Sequence, residues 1–294
     1  MNIIKLRSVW YALSGILVLG SLFCVAVFGL KFGIDFTGGS LLSVRFDHRP
    51  TSVEIERAMD GLDVGSVVIQ PVGDTDVNIR MKSLDDVQHQ EVFGRLQKAF
   101  ASAKELRFDS IGPAIGAELR AKSVTALIVA LIAIGLYIAY SFRGVSGAVQ
   151  NWKYGIVTLI SALHDTIIPI GVFAVLGKQM GLEVDTTFVV AILTVLGYSI
   201  NDTIVVLDRI RENLRRMSGS FEHIVTESLR QTYVRSINTS MTTLLSLVAI
   251  FFFGGMTLRP FALALIIGIV VGTYSSIFIA SPILVTWNKL SKKS

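Results

Sequence analysis

The stretch GYSINDTIVVLDRIREN, residues 197–213, sets an Asn-Asp-Thr triplet inside an apolar run and follows it with charged residues from Asp208 onward. The run, Thr186–Leu207, extends roughly 30 Å at about 1.5 Å per residue, the thickness of a bilayer's hydrocarbon core. A carboxyl inside it, that of Asp202, costs several kcal/mol even by the lower estimates. Read as a membrane helix that retains an expensive acid, this stretch sets how the rest of the chain is read.

Runs of the same kind lie near Val9–Leu30, Val124–Phe142, Tyr154–Leu176, Ile237–Gly254 and Phe261–Trp287, in a 294-residue chain that is 52% hydrophobic and 17% charged. The class is therefore a helical membrane bundle of six spans. The first run follows Lys5 and Arg7, but its apolar stretch is about twice the length of a signal-peptide core and no small-x-small cleavage site closes it. It reads as a retained anchor. Among the short connections, Lys5, Arg7, Arg143, Lys153, Arg209, Arg211, Arg215, Arg216, Arg230, Arg235, Lys289, Lys292 and Lys293 fall on one side, against Lys178 and Arg259 on the other. That bias puts both termini in the cytoplasm. The net charge of +5 is thus mainly a topology signal, and no basic tract with interleaved aromatics points to nucleic acid. Cys24 stands alone, which excludes an internal disulfide and a thiolate metal site.

The predicted division is a first span over 1–30, an extracytoplasmic domain over 31–122, spans two to four over 123–207, a cytoplasmic amphipathic segment over 208–236, and spans five and six with a tail over 237–294. The outer segment carries fourteen acids and twelve bases. Its order reads β-α-β-β-α-β: strand SLLSVRFD, helix TSVEIERAMDGL, strand SVVIQPV, turn GDTD, strand VNIRM, helix LDDVQHQEVFGRLQKAF, strand LRFDSIG. Leu42, Val44 and Phe46 alternate as a half-buried strand does, while Val53, Ile55 and Ala58, then Val87, Val92, Phe93, Leu96 and Phe100, suit amphipathic helices. The sum is a small ferredoxin-like α+β domain. AIGAELRAKS, after Gly112-Pro113, predicts a helix running straight into the second span. In the 208–236 segment, Leu207, Ile210, Leu214, Phe221, Ile224, Val225 and Leu229 recur at helical spacing around Ser-Gly-Ser, predicting two short helices on the membrane surface.

No phosphate-binding loop, zinc-protease motif or nucleophile elbow occurs, so no enzyme, metal or cofactor is expected. The chemistry lies in polar groups at membrane depth. Thr158, Ser161 and Asp165 share one face of the third span; Thr194, Tyr198, Asn201 and Asp202 share one face of the fourth; Arg235, Asn238, Thr239, Thr242 and Ser246 share one face of the fifth. Three such stripes predict a hydrogen-bonded interior seam. Asp202, near the cytoplasmic end of its helix, is expected within pairing distance of Arg235, and a carboxyl poised between burial and a nearby cation can take and release a proton. Asp165 is a second candidate. His164, adjacent to it, is of the residue type suited to proton exchange but is expected to point elsewhere on the helix. Tyr198, Asn201 and Thr242 are candidate seam or relay members. Ala264, Gly268, Gly272 and Ser276, at four-residue spacing in the last span, predict close helix packing.

GIDFTGGS at 33–40, IGPAIGAELR at 111–120, HD at 164–165, GYSINDTIVVLDRIREN at 197–213 and RSINTS at 235–240 resemble the SecF family, the smaller membrane subunits of SecDF protein-export complexes and relatives of the resistance-nodulation-division transporters. The resemblance implies a subunit that pairs with SecD, joins the SecYEG translocon with YajC, and uses proton motive force to draw exported polypeptides across the bacterial inner membrane. It places Asp202 and Arg235 on a proton pathway. It also singles out Gly33, Asp35, Thr37, Gly38 and Gly39 where the outer domain joins the membrane; the glycines there permit the positive φ of a tight turn. Two other classes remain open: a half-size exporter that homodimerises, and a scaffold subunit whose charges are structural.

Overall fold

A computed structural model describes residues 3–143 and 150–291; Lys292 and Lys293 of the basic tail lie outside them. The chain forms two units, one of residues 1–31 and 125–294, the other Phe32–Val124.

The smaller unit opens on a four-residue helix, α2 (Ile34–Thr37), preceded in the chain by α1 (Arg7–Phe28). Then come β1 (Gly39–Arg45), α3 (Ser52–Ala58), β2 (Val68–Val72), β3 (Asp76–Met81), α4 (Asp86–Ala99) and β4 (Lys104–Ile111). The four strands pair antiparallel in the order β2-β3-β1-β4, the ferredoxin-like arrangement. Thr51 with Glu54, and Asp85 with Gln88, close reciprocal capping boxes that start α3 and α4 where the sequence turns helical. Leu42, Val44, Ile55, Ile79, Val92 and Leu96 are each 1% exposed or less and form the core. Val53 and Val87 depart from expectation, at 54% and 77% exposed. Both sit in a first helical turn, roughly 200° and 140° around the axis from the core-facing Ile55 and Val92, so they cannot share that face.

GIDFTGGS contains more than the expected turn. α2 occupies its middle, and the glycines that end it hold φ of +71° at Gly38 and +118° at Gly39. A Cβ on Gly38 would lie 2.8 Å from the Pro113 Cα, and one on Gly39 2.7 Å from the Met81 carbonyl oxygen. No other residue fits either place.

Across β1 and β3, Arg45 forks onto Asp76 through bonds of 2.7 and 2.8 Å. That fork holds the Asp76 carboxyl below the usual carboxylate range, against partial burial, with Thr75 assisting. The pair therefore stabilises the sheet above about pH 4 and stops doing so as pH falls through the lowered value. Asp76→Asn should speed amide exchange of β1 and β3 several-fold at neutral pH in the full chain, and the difference from the parent should vanish in acid.

The larger unit holds the helices that are long and apolar enough to cross a membrane; with α5 (Pro113–Ser141), six such helices occur among the described residues. They include α1, α6 (Asn151–Met180), α7 (Thr186–Arg216), α8 (Phe221–Phe253) and α9 (Arg259–Ser275), which continues through a π-helical turn, Ser276–Ala280, into α10 (Ser281–Ser291). The expected helix before the second span is continuous with it as α5. The expected pair of short surface helices over 208–236 is corrected. Nothing in Asp208–Arg216 breaks a helix, so α7 runs on, and α8 starts only after Gly219, on the Ser220 cap. Leu207, Ile210, Phe221, Val225 and Leu229 bury their stripe in the bundle core. Asn213 ties the two extensions together by bonds of 2.9 Å to Ser228 and 3.1 Å to Gln231.

Candidate functional site

The small-residue stripe of α9 decides how closely α7 approaches. A Cβ on Gly272 would fall 2.7 Å from the Ser199 Cβ, and one on Gly268 would overlap Val195. With no side chain between them, hydroxyls from both helices reach the acid of α6. Ser275 donates to Asp165 Oδ2 at 2.7 Å, and Ser199 donates to the same oxygen. The adjoining Ser276 turns to Thr203 at 2.9 Å, so two consecutive serines brace two neighbours where the π-helical turn begins.

Asp165 is wholly buried. His164, expected to face elsewhere, folds its ring back so that Nδ1 lies 2.9 Å from Asp165 Oδ1. Adjacent helical residues diverge by about 100°, and the reach of the imidazole bridges that angle. Its Nε2 meets Ser14 of α1 at 3.2 Å, and Ser14 meets Tyr274 of α9 at 3.1 Å.

Asp202 is 5% exposed and accepts a long bond, 3.4 Å, from Ser240 of α8; Thr273 of α9 stands 2.6 Å behind Ser240. The expected ion pair with Arg235 is not formed among the described residues. Ser236 and Ser240 turn toward the bundle, and Arg235, about 100° off that line, is exposed. The same rotation corrects the whole fifth-span stripe: Asn238, Thr239, Thr242 and Ser246 are exposed, and Thr239, Thr242 and Ser246 return their hydroxyls to carbonyls of their own helix. Of the fourth-span stripe, Asp202 is buried, Tyr198 is half-buried and reaches Thr243 at 3.2 Å, and Thr194 and Asn201 are exposed. All three members of the third-span stripe, Thr158, Ser161 and Asp165, are buried.

In the smaller unit Gly33 precedes α2, Asp35 lies in its single turn, and Thr37 bonds back to the Gly33 carbonyl at 3.0 Å. Sequence reasoning missed Ser14, Ser199, Ser240, Ser275 and Tyr274. The glycine stripe holds a signal for Ser199 and Ser275, because close packing brings α7 hydroxyls over α9.

Two family models match: the C-terminal region of the protein export membrane proteins SecD/SecF over residues 92–290, and the SecD/SecF GG motif over residues 25–48. The protein translocase subunit SecF of Thermobaculum terrenum is 42% identical, covering 98% of this chain and 94% of its own length. That of Anaerolinea thermophila is 38% identical with the same coverage, 98% and 94%. Among solved structures, SecDF of Thermus thermophilus, described as a translocon-associated membrane protein, superposes with a TM-score of 0.86 at 34% identity over 98% of this chain. A super-membrane-facing form of SecDF gives 0.70. This chain spans 39% of the length of each of those SecDF chains. The chain is a multi-pass membrane protein and belongs to the SecF family of protein translocase subunits.

Proposed function

We propose that this chain is the SecF half of a SecDF-type complex of the bacterial inner membrane, both termini cytoplasmic, that uses proton motive force to promote late steps of polypeptide export. It catalyses no covalent reaction in this reading. Its work is to exchange protons at Asp202 and to couple that exchange to movement of the exported chain. The observation that carries the proposal is Asp202 itself: a carboxyl buried in an apolar helix, met by a long hydroxyl bond from Ser240, where an amide would brace the helices at lower cost.

SecD is the proposed partner, and SecYEG the channel the pair serves. Support comes from α8, whose outer face carries exposed Arg235 and Asn238 within a membrane helix, a surface that lipid tails solvate poorly and a second polar seam would satisfy. Arg235 then acts on Asp202's protonation from that interface.

The test is export into membrane vesicles with ATP held constant while an ionophore collapses the proton gradient. The parent complex should lose its gradient-dependent increment; Arg235→Gln should lose it by about tenfold while still assembling, and Arg235→Lys should retain part of it. An increment unaffected by the ionophore contradicts the proposal.

A further inference from the structure

Asp165 lies in the bundle interior with no exposed surface, so a proton must be carried to it from outside. A path is present. Between α8 and α9 runs a cavity of about 840 Å³, lined mainly by apolar side chains, into which Ser240, Thr273 and Tyr274 bring hydroxyls. Ser240 is the Asp202 partner already described. From Tyr274 an unbroken line of contacts leads inward: 3.1 Å to Ser14, 3.2 Å from Ser14 to His164 Nε2, and 2.9 Å from His164 Nδ1 to Asp165. We propose that Tyr274, Ser14 and His164 form a proton relay joining this cavity to the Asp165 carboxyl. The proposal rests on the proton-driven reading above and adds two residues that the sequence did not suggest.

Hydrogen-bond direction carries the argument. Tyr274 OH lies 3.2 Å from the backbone carbonyl of Trp10, which can only accept, so Tyr274 donates there. The Tyr274 oxygen then accepts from Ser14, and Ser14 accepts from a protonated Nε2. With Nε2 carrying hydrogen, the Nδ1 to Oδ1 contact needs one proton of its own, since two lone pairs would otherwise face each other at 2.9 Å. The structure is therefore the loaded state, with one proton shared between His164 and Asp165.

The unloaded state has one proton fewer, with the bonds from Nε2 to Ser14 and from Ser14 to Tyr274 reversed. Nδ1–H donates to the carboxylate, bare Nε2 accepts from Ser14, Ser14 accepts from Tyr274, and Tyr274 leaves the Trp10 carbonyl. Loading begins when a hydronium in the cavity gives a proton to the Tyr274 oxygen. The original Tyr274 proton passes to Ser14, and the Ser14 proton passes to Nε2. Each hydroxyl gives one proton and takes one, the imidazole gains one, and Tyr274 turns its new hydrogen onto Trp10. The result is the observed geometry.

Tyr274→Phe separates the relay from mere bracing. It preserves the ring contacts with Trp10, His164 and Phe278, at 6.4, 6.1 and 5.3 Å, and removes only the hydroxyl. In vesicles holding the full chain with its SecD partner, the Asp165 carboxyl is followed by infrared as the C=O band missing from Asp165→Asn, and its hydrogen–deuterium exchange is timed. Tyr274→Phe and Ser14→Ala should each slow exchange by about tenfold or more, and Ser14→Thr should restore it. Parent exchange rates in both hydroxyl-deleted variants, or no carboxylic band from Asp165 in the parent, overturn the proposal. Exchange needs no export, so it reports on the relay even if Asp202→Asn leaves gradient-driven export intact and the wider reading falls.

Discussion

Asp202→Asn is expected to yield a complex that assembles normally and keeps its ATP-driven export but loses the increment supplied by the proton gradient. Asn matches Asp in size and can still accept the Ser240 bond, so α7 and α8 keep their packing. What it lacks is a proton to exchange. One charge crossing 100 mV is worth about 2.3 kcal/mol, equivalent to roughly fifty-fold in a rate or equilibrium, so the loss should exceed about tenfold. Export with and without ionophore measures it, and co-purification with SecD checks assembly. A scaffold subunit would show no change, because a neutral isostere preserves every contact that such a role uses.

Gly272→Leu should do the reverse and destroy the bundle. Even its first carbon would lie 2.7 Å from the Ser199 Cβ and 2.9 Å from its oxygen, so α7 and α9 must separate. Separation lifts Ser199 and Ser275 off Asp165 and leaves the Oδ2 of a wholly buried carboxyl without its two donors. Overpacking and the stranded polar group together should cost about 3 kcal/mol or more, read as a fall in thermal stability in detergent and in membrane yield. Gly197 is the control: it sits on α7 with nothing within 4 Å of its Cβ position. Gly197→Ala should be neutral or stabilising by a few tenths to about 1 kcal/mol.

What the sequence revealed and what it concealed divide along physical lines. Apolar runs and β-alternation are local, so the membrane helices and the order of the small sheet were legible. The acids were legible because a carboxylate inside an apolar run has no inexpensive explanation. Serine and threonine carry no such signature, since a helix can satisfy them on its own carbonyls, as Thr242 and Ser246 do. Which hydroxyls matter is therefore decided by rotation. On α8 the stripe read from the sequence runs through Arg235 while the packed one runs through Ser236, and one residue, about 100°, exchanges the inside for the outside. The link from Ser14 to Tyr274 joins residues far apart in the chain, and no periodicity within one helix encodes it.

The central claim is that Asp202 changes its protonation as the assembly works. Infrared difference spectroscopy on vesicles holding the intact complex, with an imposed proton gradient and an exported chain in transit, addresses it directly, using Asp202→Asn to identify the band. The account predicts a carboxylic C=O signal that rises and falls with the gradient and is absent from the variant. A signal from Asp202 that stays fixed in one protonation form throughout transport would contradict it.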